Sequence, residues 1–368
     1  MNYRKPHHLY HQVIQDIKDK IATTKLPAGH RIETHKQLAE NYNVSLITIK
    51  KAIDELVNEG ILISKAGKGT FVADTNPQTQ SVKNNETSNT IGFVLRDLKN
   101  PFFSLIAHEI EVLAHSKGYT TLIANSSDDQ AKEEHLIRKL KNSGVTGIII
   151  ASMAQKYFAN ESVRSLHKEK FPYVMVSYTH DPDIYFVGSD HIYGGFLATE
   201  HLIKQGYQSI GYINSTVGNL ISDLRRIGYF KALEHYNLPI NPDNIFYLQS
   251  GGGWNYFTAG YEIGLSICKQ KECPNAFFVY NDLAAIGFQR AVLELGLAIP
   301  DDIAIVGYDD IEFASLARVP LTTIRQNTRE IAKKALEAII DQLQEKKPRI
   351  QTLLEPKLIV RHSSVKSP

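Results

Sequence analysis

Residues 45–74, SLITIKKAIDELVNEGILISKAGKGTFVAD, decide how the front of this chain is read. Ile49, Ala52, Ile53, Leu56 and Val57 recur at i, i+3, i+4, i+7 and i+8, the spacing of one buried helix face. Ile47, Thr48, Lys51, Asp54 and Glu55 fall on the other side. Ser45 supplies an N-cap and Gly60 a stop. ILISK and TFVAD then flank AGKG as the two strands of a hairpin. Two glycines around a lysine suggest a phosphate cradle, but a nucleotide P-loop needs Gly-x-x-x-x-Gly-Lys-Ser/Thr. Leu62 stands where the first glycine belongs, and Gly69 follows Lys68, so the nucleotide reading fails.

Upstream, Leu9, Val13, Ile14, Ile17 and Ile21 put an apolar stripe on a first helix, and LPAG turns the chain. Thr34 caps a second helix through HKQLAENY. Two helices joined by a tight turn and followed by a hairpin make a winged helix-turn-helix over residues 1–74. Gly67 and Gly69 let the hairpin tip approach a phosphate backbone, and Lys68 supplies the charge. The expected anion is double-stranded DNA, with the third helix in the major groove and its first residues nearest the base edges. The net charge of +2 is unevenly placed in the same sense. Residues 1–74 hold 11 Lys/Arg against 8 Asp/Glu, and the remaining 294 residues hold 30 against 31.

The stretch LPAGHRIETHKQLAENYNVSLITIKKAIDELVNEGILISKAGKGTFVA closely resembles the DNA-binding domain of GntR-type regulators, over residues 8 to 74. The resemblance implies DNA contacts from Lys36 on the second helix and from Thr48 and Lys50 at the start of the third. It implies wing-tip contacts from Gly67 and Lys68, with Thr34 and Ser45 at the helix starts. Leu46 stands where the family usually has a base-reading arginine, and Glu33 where it has proline, so the operator sequence does not carry over. Two readings of Leu46 stay open: contact with a thymine methyl, or packing inward.

Residues 75–89, TNPQTQSVKNNETSN, hold one apolar side chain and read as a linker. As a flexible coil it spans roughly 20 Å. Beyond it TIGFVL, TTLIAN, GIIIAS, YVMVSY, SIGYIN, NAFFVYN and IAIVGYDD are buried-strand runs separated by amphipathic helices. That alternation signals parallel sheets covered on both faces, and the number of runs calls for two doubly wound lobes within 90–368. The first lobe is expected mostly within 91–190. Ligands of such folds sit at the carboxyl ends of strands. There the sequence places Phe102 and Phe103, Asn281 and Asp282, and Asp309 and Asp310.

NPFF, GSDHIYGGFLATEHLIKQGYQSIGYI, LRRIGYFKAL, VYNDLAAIGFQRAVLELGLAIPDDIAIVGYDD and PLTTIRQNTREIAKKA resemble the ligand-binding domain of LacI/GalR regulators, from about 90 to 363. The resemblance implies two Rossmann-like lobes of periplasmic-binding-protein type closing on a small molecule. By it, Phe102 and Phe103 hold ring-stacking or apolar positions of the first lobe, Trp254 forms an aromatic wall, and Asp190, Arg225, Asn281 and Asp309 make polar contacts. VMVSYTHDPD lacks a clear acidic match, leaving Ser177 or Tyr178 to line the cleft. The linker also lacks the apolar helix that LacI relatives set in the minor groove. A GntR-type front on a LacI-type body is the arrangement of arabinose-repressor-type regulators. It implies a homodimer on a palindromic operator and a sugar effector, L-arabinose or another monosaccharide; a purine effector or an activator role fits the same cleft.

No catalytic triad, metal-spaced cluster, cofactor motif or membrane-length apolar run emerges from the 368 residues, so neither enzyme nor membrane protein is expected. The expected compartment is the cytoplasm. Cys268 and Cys273 are expected to be reduced, inert thiols.

Overall fold

The computed structural model describes residues 6–23, 26–65, 69–73, 89–151, 157–249, 256–270 and 272–366. By its internal contacts the chain divides into Met1–Glu86 and Thr87–Pro368. Most of the linker stretch, and the minor-groove helix said to be missing from it, lie outside the described residues.

The N-terminal unit runs α1 (Pro6–Ala22), α2 (His35–Asn41), α3 (Leu46–Asn58), β1 (Leu62–Lys65) and β2 (Gly69–Val72). Thr34 starts α2 with a reciprocal capping box: its hydroxyl accepts from the Gln37 N–H, and the Gln37 side chain accepts from the Thr34 N–H. Ser45 caps α3 by accepting from the Thr48 N–H at 3.1 Å. Ile49, Ala52, Ile53 and Leu56 from α3 meet Val13, Ile14 and Ile17 from α1 in one core with Leu38, Leu62 and Val72. Each large side chain removed from water there contributes about 2 kcal/mol. β1 and β2 pair antiparallel, with Lys65 opposite Gly69. Gly69 takes φ +111°, and a Cβ there would lie 2.6 Å from the Arg31 Nε, so the second strand can begin only on glycine.

The C-terminal unit begins with β3 (Thr90–Leu95), α4 (Pro101–Ser116), β4 (Thr120–Asn125), α5 (Gln130–Asn142), β5 (Gly147–Ile150), α6 (Glu161–Lys168), β6 (Tyr173–Met175) and β7 (Phe186–Ser189). The chain then crosses into a second lobe. There it forms α7 (His191–Lys204), β8 (Ile210–Asn214), α8 (Leu220–His235), β9 (Ile245–Tyr247), α9 (Tyr256–Ile267), β10 (Ala276–Val279), α10 (Asp282–Glu294), β11 (Ala304–Asp309), α11 (Glu312–Leu316) and β12 (Thr322–Arg325). It returns to the first lobe for α12 (Thr328–Leu343) and β13 (Gln351–Leu354), and ends in the second with β14 (Lys357–Ile359). Three crossings therefore join the lobes.

Among the described residues each lobe holds a six-stranded sheet, ordered β13-β7-β6-β5-β3-β4 and β14-β12-β11-β10-β8-β9. Every pair is parallel except β12 with β14. The central strands are buried on both faces, which is why Ile148, Ile149, Ile150, Phe277 and Phe278 all lose their exposure. The strand runs read from the sequence are all present; β7, β9, β12, β13 and β14 are additions to them. The first lobe also takes in α12 and β13, from far beyond residue 190.

Helices α7 and α8 touch backbone to backbone. A Cβ on Gly195 would lie 2.1 Å from the Arg225 carbonyl oxygen, and one on Gly228 2.0 Å from that of Ile192. This contact fixes where α8 presents its side chains. Gly228→Ala is expected to force the helices apart, costing about 2–4 kcal/mol in a denaturant melt of the full chain. A melt unchanged within error would refute this account of the crossing.

Candidate functional site

The carboxyl ends of both sheets face one cleft between the lobes. From the first lobe come Arg96 at the end of β3, Asn100, Phe102 and Phe103 at the start of α4, Asp128 beyond β4, and Ser177 beyond β6. The second lobe and the crossings supply Ser189, His191, Arg225, Tyr256, Tyr280, Asn281, Asp309 and Gln326. Asn100 caps α4 by accepting from the Phe102 N–H at 3.1 Å, which sets the two phenylalanines at the helix tip. Their rings meet edge-on, 5.4 Å between centroids.

Arg225 projects from α8 into a buried polar cluster. It is 3% exposed, donates from Nη2 to the Asp309 carboxylate at 3.4 Å and from Nη1 to the Tyr280 carbonyl, and lies 3.5 Å from the centre of the Tyr308 ring. Its Nε is buried with no hydrogen-bond partner among the described residues. Gln326 donates to the same Asp309 oxygen at 2.8 Å. Burial pushes the Asp309 carboxyl up to about 6, although Arg225 and Gln326 pull it down. Burial, together with the nearby Arg225 charge, also holds His191 well below the usual histidine range, so its ring is neutral. Asn281 uses its amide oxygen to cap α10, accepting from the Ala284 N–H at 2.9 Å, and its amide nitrogen takes no part in that cap.

At the other wall Arg96 is 7% exposed and donates from Nε to Asp128. Burial opposes its charge, but Tyr256, Tyr280 and Asp128 outweigh that and raise its pKa. Asp128 and Asp309 share a backbone feature: φ is +60° at Asp128 and +113° at Asp309. Non-glycine residues in this region carry strain of about 1–3 kcal/mol, so the fold holds both carboxylates in place against a local cost.

Of the ligand residues expected from the sequence, Phe102, Phe103, Arg225, Asn281 and Asp309 come together in this cleft. Asp190 does not join them: its carboxylate caps α7, accepting from the Tyr193 N–H at 2.9 Å, and so shapes the first crossing. Trp254 lies outside the described residues. Ser177 lines the cleft, while Tyr178 is half-buried, packed both against the first lobe's core and against Leu220, Ile221, Leu224 and Tyr280 of the second lobe. Asp282 and Asp310 brace loops instead. Asp282 accepts from the Thr323 hydroxyl and the Ile311 N–H, and Asp310 pairs with Arg325 at 2.5 Å and Arg361 at 2.6 Å. Arg96, Asp128, His191 and Gln326 were missed; Arg96 directly follows the buried run TIGFVL, the one signal that pointed to it.

The N-terminal unit presents a second face. Lys36 and Lys50 are exposed, as are Leu46 at 55% and Ile47 at 81%. Leu46 therefore does not pack inward. Thr34 and Ser45 spend their hydroxyls on the caps, and Thr48 shares a 2.8 Å hydrogen bond with Ser45. Gly67 and Lys68 lie outside the described residues. No described helix is long and apolar enough to cross a membrane.

Residues 9–72 match the family of bacterial regulatory proteins, gntR family, and residues 199–364 match the periplasmic binding protein-like domain. The chain is 30% identical over 363 residues to the arabinose metabolism transcriptional repressor of Geobacillus stearothermophilus, covering 96% of this chain and 97% of that one. It is 30% identical over 280 residues to the HTH-type transcriptional repressor PurR of Aliivibrio salmonicida, covering 75% and 82%. Among solved structures, a LacI family transcriptional regulator from Enterococcus faecium with bound ribose aligns with TM-score 0.66 at 27% identity, covering 75% of this chain and 98% of that one. A periplasmic binding protein/LacI transcriptional regulator from Alkaliphilus metalliredigens complexed with D-xylulofuranose aligns with TM-score 0.64 at 26% identity, covering 76% and 100%.

The Asp309 carboxyl near 6 gives the cleft a pH signature. Its carboxylate is ionised at pH 7.5 and largely neutral at pH 5, so a ligand held by that charge binds about tenfold more weakly at pH 5. Calorimetric titration of a bound ligand at both pH values measures this. Equal affinity would show that the charge of Asp309 takes no part in binding.

Proposed function

Because this chain belongs to the family of transcriptional repressors that join a gntR-type helix-turn-helix to a periplasmic-binding-protein-like domain, we propose that a small sugar in the inter-lobe cleft changes its affinity for operator DNA. Within this reading residues 1–74 bind DNA, 75–89 link, and 90–368 sense the effector. The genes controlled serve carbohydrate use, and the protein acts in the cytoplasm as a sensor rather than an enzyme.

The observation that carries the reading is the buried Arg225 with its unpartnered Nε, set beside Asp309 and Asn281 and facing two phenylalanine rings. Leaving a buried donor unmet costs about 1–3 kcal/mol, which a ligand oxygen recovers. Aromatic faces cover the C–H surface of a sugar, while Arg, Asp and Asn fork onto neighbouring hydroxyls. The lobes enclose a cavity of about 70 Å³ with polar groups on both walls. The ligands of the two structural neighbours, ribose and D-xylulofuranose, are single sugar rings. The PurR relatives make a purine the second effector to test.

On the DNA side, Lys36 and Lys50 contact phosphates, and the exposed pair Leu46 and Ile47 leads α3 into the groove, where Leu46 meets thymine methyls. Gly67 and Lys68 are assigned to the wing contact. The active species is a homodimer on a palindromic site. The α4 and β4 edge of the first lobe supports that pairing, since it leaves Leu105, Val112, Leu122 and Ile123 each at least 40% exposed. Closure of the cleft then shifts the lobes across the dimer, provided the ligand binds the two states with different affinity.

Mobility-shift titration against genomic fragments near the protein's own gene, with and without a panel of monosaccharides and purines, tests the reading. One monosaccharide is expected to weaken or strengthen the complex at least about tenfold. Equal DNA affinity with every compound, in a protein shown by calorimetry to bind one of them, would refute it. Lys50→Ala is expected to weaken binding similarly on all sequences and to lower the slope of log affinity against log salt by about one. An unchanged slope would remove Lys50 from the phosphate contacts.

A further inference from the structure

Two arginines enter the cleft, one from each lobe, and each is held by a carboxylate on a left-handed residue: Arg225 by Asp309, and Arg96 by Asp128. The first pair already has work on the protein, through Tyr280 and Gln326. The second is sparer. Arg96 bonds to Asp128 through Nε, and its two terminal amino groups hold no hydrogen bond to a described residue. Arg96 as a residue is 7% exposed and lines the cavity, so its four terminal N–H groups are available to the oxygens of whatever fills it.

Charge decides which oxygens these are. A bare buried guanidinium attracts carboxylates and phosphates before hydroxyls. Here Asp128 cancels that attraction while leaving the donors in place, and Asp97 adds a second negative charge to the same wall. The opposite lobe is also paired out, and His191 is neutral. The cleft is thus rich in donors and carries no surplus positive charge. That combination accepts hydroxyls and rejects anions.

We propose that Arg96 and Asp128 form the specificity-determining pair of the effector site, with Arg96 donating to ring hydroxyls and Asp128 barring the anionic derivatives of the same sugar. This rests on the sugar reading of the cleft and adds to it the residues that distinguish a free sugar from its acid or phosphate ester.

The test is calorimetric titration of the full chain and two variants with the aldopentoses and the corresponding aldonates. The unaltered chain is expected to prefer its aldopentose over the aldonate by at least about tenfold, as for a like charge set against a partly exposed carboxylate. In Asp128→Asn the aldonate is expected to gain at least about tenfold while the neutral sugar loses affinity. In Arg96→Met both ligands lose about tenfold or more and the aldonate gains nothing. Arg96→Lys keeps the charge without the planar fork and restores only part of the neutral-sugar affinity, which a purely structural role would not predict. Near-ultraviolet circular dichroism establishes that each variant is folded.

If the unaltered chain binds an aldopentose and neither Asp128→Asn nor Arg96→Met changes its affinity or its preference over the aldonate, this assignment falls and the sugar reading stands. If Asp128→Asn fails to fold, the Arg96 variants and the aldonate preference of the unaltered chain still decide the matter. If the unaltered chain binds aldonates or pentose phosphates more tightly than free sugars, the assignment is overturned. If it binds no sugar of any kind, the reading beneath it is lost, and this pair with it.

Discussion

The guanidinium of Arg225 ties three elements of the C-terminal unit to one point. It leaves α8, reaches the carbonyl that ends β10, pairs with the carboxylate that ends β11, and stacks on the ring of Tyr308. Asp309 passes the connection to Gln326, where the chain begins its second crossing, and Tyr308 passes it to His191, at the first. Burying such a charge costs several kcal/mol, which its partners must offset. Deleting one partner would leave an uncompensated ion and cost about 3–5 kcal/mol. A ligand that engages this cluster therefore acts on the crossings and not only on the cavity wall. The close seating of α7 on α8 through Gly195 and Gly228 keeps the arginine from drifting when the cleft fills.

The N-terminal unit solves a different problem with little material. Its core is built from three short helices and a two-stranded hairpin, so each cap counts for more. Thr34 with Gln37, and Ser45 with Thr48, satisfy donors at the two helix starts that the unit would present to DNA. The hydroxyls are consequently occupied, and the surface there is made of the exposed Lys36 and Lys50, helix-terminal N–H groups and the exposed Leu46–Ile47 pair. Near the first turn of α3 the surface offers more apolar contact than hydrogen bonding. Sequence preference there should follow methyl groups and groove shape more than bidentate base pairing.

Much of this was legible in the residues themselves. The apolar spacing of α3 and the glycine-bearing hairpin specified the winged helix, because helix period and turn chemistry are local properties. Central strands such as Gly147–Ile150 announced themselves as unbroken apolar runs. The strands that escaped notice are short or lie at the edges. Phe186–Ser189 contains a glycine and a serine, and Gln351–Leu354 and Lys357–Ile359 flank a Glu-Pro step with half-exposed side chains. In the cleft, Phe102, Phe103, Arg225, Asn281 and Asp309 carried recognisable neighbours. Arg96 and Asp128 did not, since their meaning lies in a contact across 32 residues and in a left-handed backbone that no local pattern encodes. Asp190 was ambiguous for the opposite reason: an aspartate before a helix has a capping role available wherever it stands.

The order in which the strands are laid down also dictates how the molecule can be made. The first lobe is opened by β3 but closed by α12, whose Ile331, Ala332, Ala335, Leu336 and Ile339 sit in the same core as Ile91, Phe93 and Ile149. On the ribosome those early strands must wait for nearly the whole remaining chain before their apolar face is covered. The winged helix meets no such delay, being complete within its own first seventy-odd residues. A transcript cut short near residue 320 would thus yield a chain with a finished DNA reader and an unfinished, adhesive body, the kind of product that chaperones and proteases must remove.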